Sequence, residues 1–505
     1  MLIDLAAKRL GGMVVAANDE FFGAKENLLE PSPAIFDPLL YTDRGKVMDG
    51  WETRRRRDEG HDWCVLRLGV PGVIQQVVVD TSHFKGNFPQ ACEVLGAVFD
   101  QAQDPLQVDS GDWFPLLPRT DLQGDAVQRF DVTVARRVTH VRFMIHPDGG
   151  VARLQLLGRP LVELSRVADV SGRLDLAAAV NGGMAVACSD AFFSSPTNLI
   201  MVGDARNMGD GWETRRRRGP GHDWAVLRLC TAGVVERIEI DTTHFKGNYP
   251  DRCTISAIHA PGIAPEDLPD PPQWTTLVAE QAMRPHARHV FDVEGATAMT
   301  HLRLAVIPDG GVARLRAFGR VSDEGWRLAA VSMLDAAEPA VLHQTLHGCC
   351  GSQAWVTQMM ARAPFTDPDS LLRAADEVWR GLDAADHLEA FAAHPRIGDR
   401  SGPPHTLDEQ QGTESADRQV LEQLHDGNVA YEKRFGHVFL IRAAGRSAQE
   451  MLAALQQRLQ GDPHTELGIA AEQQRQITAL RLNVLLDARL AARQGTALDS
   501  ETSPT

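Results

Sequence analysis

Apolar residues along this chain follow two different periods, and the change between them divides the molecule. Up to about residue 320, β-branched and aromatic residues come in short runs, at 63–68, 73–80, 140–145, 234–241 and 301–307. Pro71-Gly72, Lys85-Gly86-Asn87, Asp148-Gly149 and Asp309-Gly310 separate these runs as turns. Many short strands joined by Gly and Pro turns predict all-β sandwiches or jelly rolls. From about Ser332 glycine thins out and apolar residues recur at helical spacing. Met451, Leu452, Leu455 and Leu459 follow the capping-box pattern Ser447-Ala-Gln-Glu450, and Ile469, Ile477, Leu480 and Leu485 mark a later helix. Another helix opens near Ser415 to Asp417 and stops at Gly436, as a C′ glycine would stop it. This second region is predicted to be all-α.

The β region is written twice. Asp49-Gly-Trp-Glu-Thr-Arg-Arg-Arg-Arg57 returns unchanged at 210–218, 161 positions on. At the same offset His61-Asp62-Trp63 returns at 222–224, and Asp80-Thr-Ser-His-Phe-Lys-Gly-Asn87 at 241–248 with one Ser-to-Thr change. Pro147-Asp-Gly-Gly-Val-Ala-Arg-Leu154 returns at 308–315. Gly11-Gly12-Met13 aligns with Gly182-Gly183-Met184 at an offset of 171 instead. The first copy therefore holds ten extra residues around the Pro-rich stretch 31–38, expected to be a surface loop. A period this long means two whole domains rather than solenoid units. The chain is thus expected to be multidomain, with duplicated all-β modules at 1–160 and 172–321, an all-α domain at 332–490 and a disordered tail at 491–505. Apolar cores tolerate exchange, so polar identity kept at this density points to side chains with specific tasks, or to a recent duplication.

Composition narrows the function classes. At 505 residues the chain has room for about three domains of ~150 residues. With 43% apolar and 23% charged residues it is ordinary for a globular protein. A net charge of -16 argues against nucleic acid or an anionic membrane as partner. No apolar stretch suggests a leader or a membrane span. Seven scattered cysteines without Cys-x-x-Cys spacing point to reduced thiols and a cytoplasmic location. Cys349-Cys350 and the tryptophans Trp51, Trp63, Trp212 and Trp224 are expected in the core.

The repeated polar residues supply candidate chemistry. Glu52, Arg54, Arg56, His61, Asp80, His83 and Lys85 form the set in the first copy. Glu213, Arg215, Arg217, His222, Asp241, His244 and Lys246 form it in the second. If the Arg run is a strand, alternate guanidinium groups face opposite ways, and at most half can line one pocket. Arg pairs with a carboxylate through two hydrogen bonds, and His transfers protons near neutral pH. The combination suits a small anionic substrate and hydrolysis. His61, Asp80 and His83 are also metal-ligand types, but no tight ligand spacing accompanies them. No metal or other cofactor is expected, with the metal dependence of this half left open.

At these motifs the chain resembles allantoicase, the ureohydrolase of purine breakdown, over about residues 1–330 and including the family's internal duplication. The resemblance implies two jelly-roll-like modules that convert allantoate and water to ureidoglycolate and urea, with ureidoglycolate as a further substrate of some members. It also implies a homo-oligomer. An alternative is a pair of non-catalytic ligand-binding sandwiches.

In the helical region, His394-Pro-Arg-Ile-Gly-Asp399, Thr406-Leu-Asp-Glu-Gln410, Gly436-His-Val-Phe-Leu-Ile-Arg442 and Gln476-Ile-Thr-Ala-Leu-Arg481 occur in that order. Together with Cys349-Cys-Gly-Ser352, Trp355, Met359, Pro364-Phe365 and residues 428–436, they resemble the decarboxylase of 2-oxo-4-hydroxy-4-carboxy-5-ureidoimidazoline (OHCU), over about 332–490. The resemblance implies an all-helical enzyme without metal that makes (S)-allantoin. By it, His394 is the catalytic proton donor, and Glu409 and Arg481 belong to the same site. Pro395, Thr406, Leu407, Asp408, Glu409, Gln410, Phe439, Leu440, Ile441, Arg442 and Ala443 contact substrate. Thr406 stands where relatives often carry Ser, which keeps the hydroxyl. Ala363 replaces an Arg often found before the Pro-Phe pair. Both halves would then serve ureide catabolism, with small-molecule ureides as partners. Their reactions are not consecutive, so a separate allantoinase is implied between them.

Overall fold

The computed structural model describes residues 1–99, 113–397 and 417–501, with side chains of the last helix to residue 487. Its chain divides into two compact units, one ending at Ala336 and one covering Ala337–Thr496.

The first unit holds two copies of one antiparallel module. In the first copy the strands run in the order Ile3–Asp4, Arg153–Pro160, Asp62–Asp80, Arg137–His146, Ala91–Ala97, Phe114–Asp121. Met13–Ala17 and Val127–Asp131 pair with Asp62–Asp80 as well. That 19-residue strand organises the module. Its first third pairs with Met13–Ala17 and Arg137–His146, and its last half with Arg153–Pro160 and Val127–Asp131. A strand with four partners bends, and the bend folds the sheet back on itself into a jelly-roll sandwich. The second copy repeats the order with Arg173–Asp175, Arg314–Val321, Asp223–Asp241, Met299–Ile307, Arg252–Ile258 and Thr275–Ala282.

Pro71-Gly72 is not the turn the sequence suggested; it lies inside the long strand at the bend. Proline is tolerated in sheets at such irregular points. Here the Pro71 carbonyl accepts the amide of Leu161, and a Cβ on Gly72 would lie 2.3 Å from the Arg159 carbonyl. The repeated motifs interlock around one aromatic ring. Phe84 is fully buried, and a Cβ on Gly150 would lie 1.9 Å from its ring. Phe245 and Gly311 repeat the arrangement at the same 1.9 Å. Trp51 and Trp212 are fully buried as expected. Trp63 and Trp224 are only half-buried, each with a guanidinium over its ring, Arg142 at 5.6 Å and Arg303 at 5.2 Å.

Helix Asp323–Asp335 closes this unit. Ser322 caps it, and the Gly325 carbonyl accepts from Thr231 of the long strand at 2.7 Å. In the second unit the described helices are Pro339–Cys349, Gln353–Arg362, Pro368–Arg380, Ala384–Ala392, Arg418–Phe435, Ala448–Arg458 and Pro463–Glu501. The Ser447–Glu450 capping box is formed as read, and Gly436 ends its helix at φ 79°. Leu371, Ala374, Ala375, Val378 and Trp379 give Pro368–Arg380 a continuous buried stripe. Cys349 and Cys350 are buried, and all seven cysteines are free thiols. The last helix runs into the segment read as a tail. Of its predicted apolar residues Ile477 is buried and Leu480 and Leu485 are partly so, but Ile469 is 43% exposed, and Gln474 and Thr478 are buried and bond each other at 3.2 Å. Among the described residues no helix is long and apolar enough to cross a membrane.

Candidate active sites

In the first β module the repeated motifs meet at a cavity of about 570 Å³ lined by Phe22, Phe36, Lys46, Met48, Glu52, His83, Lys85, Gly86 and Asn87. Glu52 sits in the two-residue strand Trp51–Glu52, fixed on both sides. Its backbone pairs with Gly150, and it exchanges hydrogen bonds with Gly23. One Oε1 accepts from the Asn87 side chain at 2.7 Å. Burial raises the Glu52 carboxyl above its ordinary range, and the Asn87 hydrogen bond opposes this only in part.

His83 stands in the turn after the long strand with φ 70°, an uncommon conformation for a residue with a side chain. Its amide donates to Asp125 at 2.8 Å, and its ring Nε2 meets the Ala34 carbonyl at 3.1 Å. A carbonyl only accepts, so Nε2 carries the proton and Nδ1 is the basic nitrogen. Phe36 stacks on the imidazole at 5.6 Å, and Lys46 Nζ lies 4.3 Å above the Phe36 ring. Lys85 approaches Asp125 at 3.6 Å.

The arginine run lies elsewhere. It is not a strand: regular pairing stops at Glu52, and residues 53–57 run on without it. Arg54 turns to Asp19 at 2.6 Å, and Arg56 to the buried Asp62 at 2.7 Å. Arg215 and Arg217 do the same with Asp190 and Asp223. These guanidinium groups neutralise carboxylates that position the neighbouring loops: Asp62 also takes the Asn18 amide at 2.8 Å. His61 packs on His146 at 4.8 Å, and His222 meets Arg303 at 3.3 Å. Burial and then the cations Arg303 and Arg217 hold His222 below its usual range. Asp80 and Asp241 cap their own turns through the amides of Ser82 and Thr243, at 2.8 Å each. The structure thus brings together Glu52, His83 and Lys85 and places Arg54, Arg56, His61 and Asp80 outside that cavity. His61, Asp80 and His83 do not converge, and no group of three or more potential metal ligands forms among the described residues.

Sequence reasoning missed Phe22, Phe36, Lys46, Met48 and Asn87. Asn87 lay inside a repeated motif but read as a turn residue. Phe36 and Lys46 belong to the ten-residue insertion, which is more than a surface loop. Its Ile35 amide bonds Asp49 at 2.9 Å, and this anchor turns Phe36 inward.

In the second copy Glu213 accepts from Asn248 at 2.6 Å, and His244 Nε2 meets the Ala205 carbonyl at 2.8 Å. His244 also adopts the left-handed conformation, at φ 74°.

In the helical unit His394 follows helix Ala384–Ala392, its amide bonded to the Phe391 carbonyl at 3.0 Å. Next to it Arg396 pairs with Glu432 through two bonds of 2.7 Å. Phe439, Leu440, Ile441 and Ala443 are buried, and Arg442 is held through its amide by Gln473 at 3.0 Å. Arg458, itself paired with the buried Glu466, donates to the Leu440 carbonyl. Arg481, on the last helix, donates to the Gly348 carbonyl at 3.3 Å. Thr406, Leu407, Asp408, Glu409 and Gln410 lie outside the described residues.

A duplicated jelly roll with a motif-built cavity, followed by an all-α unit, defines a two-part enzyme. Residues 3–161 and 174–322 match the model of the allantoicase repeat, and residues 335–483 match that of OHCU decarboxylase. The chain belongs to the allantoicase family and carries an OHCU decarboxylase domain behind the repeats. "Probable allantoicase 1" of Burkholderia mallei is 46% identical over 320 residues, which cover 63% of this chain and 94% of that protein. "Probable allantoicase" of Streptomyces coelicolor is 43% identical over 357 residues, 68% of this chain and 90% of its own. The crystal structure of allantoicase from Saccharomyces cerevisiae aligns with a TM-score of 0.53 at 31% identity, over 63% of this chain and 93% of that one. A hydrolase and a lyase of purine and ureide catabolism are therefore joined in one polypeptide.

Proposed function

We propose that the β unit hydrolyses allantoate to ureidoglycolate and urea in the cavity around Glu52 and His83. The observation that carries this reading is a carboxyl whose hold on its proton is strengthened by burial, beside an imidazole and two lysines in one cavity. Lys85 and Lys46 grip the carboxylate. The His83 Nδ1 takes a proton from water, whose oxygen bonds the carbon bearing the two ureido groups. Glu52 gives its proton to the departing nitrogen as the C–N bond breaks. Water supplies hydroxyl to one product and, by way of the two side chains, hydrogen to urea.

Glu52→Gln is expected to lower kcat for urea release by about 10²–10⁴ with little change in KM. The sign of the linkage gives a second readout. A carboxyl raised in the folded state contributes stability at low pH, which is lost as pH rises through its folded pKa. Glu52→Gln protein is therefore as stable as the parent at neutral pH or more so, by thermal melting. Full activity in that variant would remove Glu52 from the mechanism.

We propose in the same way that the helical unit decarboxylates OHCU to (S)-allantoin. His394 delivers the proton to the carbon that loses CO2, Arg481 offsets the developing negative charge, and Glu409 accepts the substrate hydroxyl. The family match and the retained His394, Pro395 and Arg481 support this. His394→Ala is expected to abolish CO2 release while urea release from allantoate stays within twofold.

A further inference from the structure

We infer that the two repeats have divided their labour: the first binds the ureide through Lys46 and Phe36, and the second serves as a brace. The inference rests on the reading of the first-repeat cavity given above. It starts from what each copy places over its Glu–Asn pair. In the first copy that position holds Lys46, above the Phe36 ring, which in turn lies on His83. Lys46 comes from the short hairpin Tyr41–Thr42 and Gly45–Lys46, part of the segment that carries the extra residues.

The second copy lacks both groups. Lys46 lies among the extra residues and has no counterpart, and Asn207 follows Arg206 as Phe36 follows Ile35, its side chain capping its own turn by accepting the Asp210 amide at 3.2 Å. The thioether of Met208 sits 3.7 Å from the Asn248 amide, beside the Glu213–Asn248 pair. The aromatic partner of the histidine is gone as well. His244 packs edge-on against His286, at 5.9 Å, and His286 stands where the first copy has Asp125. A single imidazole, that of His286, replaces the carboxylate that steadies Lys85.

One motif residue states the division most plainly. Asp49 takes the Ile35 amide and the Arg153 guanidinium, and so anchors the inserted segment to the site. Its counterpart Asp210 takes Arg314, Arg206 and, at 3.2 Å, Arg9 from the first repeat. Arg9 also bonds the Asn198 side chain at 3.0 Å. Asp210 keeps the loop anchor as well, through the Arg206 amide at 3.1 Å, and adds the tie to the first repeat through Arg9. Lys46 and Phe36 thus select for a small planar group bearing a carboxylate, the cation meeting the charge and the ring covering a ureido plane.

Steady-state urea release from allantoate by the full chain tests this. Lys46→Met and Phe36→Ala, both at exposed positions, are expected to raise KM at least tenfold with kcat within about threefold. Met208→Trp, which crowds the second copy's Glu213–Asn248 pair from a half-exposed position, is expected to leave both constants within twofold, with an unchanged melting curve. A loss of activity in Met208→Trp equal to that in Lys46→Met, or parent KM in Lys46→Met and Phe36→Ala, overturns the division of labour. Absence of urea from the parent protein would instead fail the reading of the reaction itself.

Discussion

Gly150 and Gly311 show why so much residue identity survives in both copies. Neither is needed for a turn. Each leaves space for the ring of Phe84 or Phe245, which a Cβ would enter at 1.9 Å from backbone positions that cannot swing away. The glycine belongs to one motif and the phenylalanine to another, so a change in either must be matched by the other. Gly150→Ala is expected to destabilise the β unit by about 1–3 kcal/mol or more through overpacking, with partial recovery in Gly150→Ala/Phe84→Leu. Thermal unfolding of the single and double variants reads this; a neutral Gly150→Ala would show that the ring has room to move. Shape-matched residues look like functional ones in a sequence because both are invariant between copies. Arg54 and Arg56 pair with Asp19 and Asp62, outside the cavity around Glu52. A repeated string reveals that a residue matters without revealing which of its neighbours it serves.

Secondary structure was legible wherever one period or one cap dominated. The Ser447–Glu450 box and the Gly436 stop fell where the rules put them, because local backbone groups alone settle those ends. The bent strand Asp62–Asp80 was read as two, since its continuity depends on four partner strands distant in sequence. The buried face of Pro463–Glu501 was read only in part, Ile477 but not Gln474 and Thr478, which satisfy each other and so can enter an apolar face. Strands Arg137–His146 and Met299–Ile307 carry a further matched pair, His140 and His301, each bonded to the preceding threonine at 3.0 Å. Burial, with a nearby arginine, lowers both from 6.5 to about 4. The unfolded chain therefore binds more protons between those values, and stability is lost as pH falls from about 6.5 to about 4. The loss is on the order of 3 kcal/mol per histidine once both states are protonated. Replacing both with Gln should flatten that part of the stability profile, measured by urea unfolding of the β unit across pH. An unchanged slope would assign the acid sensitivity to other groups.

Across the whole molecule the two proposed reactions share a polypeptide but not a metabolite. By them the helical unit would release allantoin, whereas the β unit would take its ring-opened acid. Supplied with OHCU, the full chain should accumulate allantoin and yield no urea in a coupled urease assay. Urea should appear only when a ring-opening hydrolase is added. Urea without that addition would mean that one of the two units also opens the ring. Fusion on this account fixes equal amounts of two catalysts, and a passage from one to the next forms no part of it.

The Arg9 contact carries a practical lesson for anyone shortening this protein. Its guanidinium sits at the very start of the chain yet secures Asn198 and Asp210, some two hundred positions downstream. Trimming the leading residues, or burying them beneath a purification tag, would loosen a loop whose own code had never been edited. The damage would surface in the half of the β unit that looked untouched.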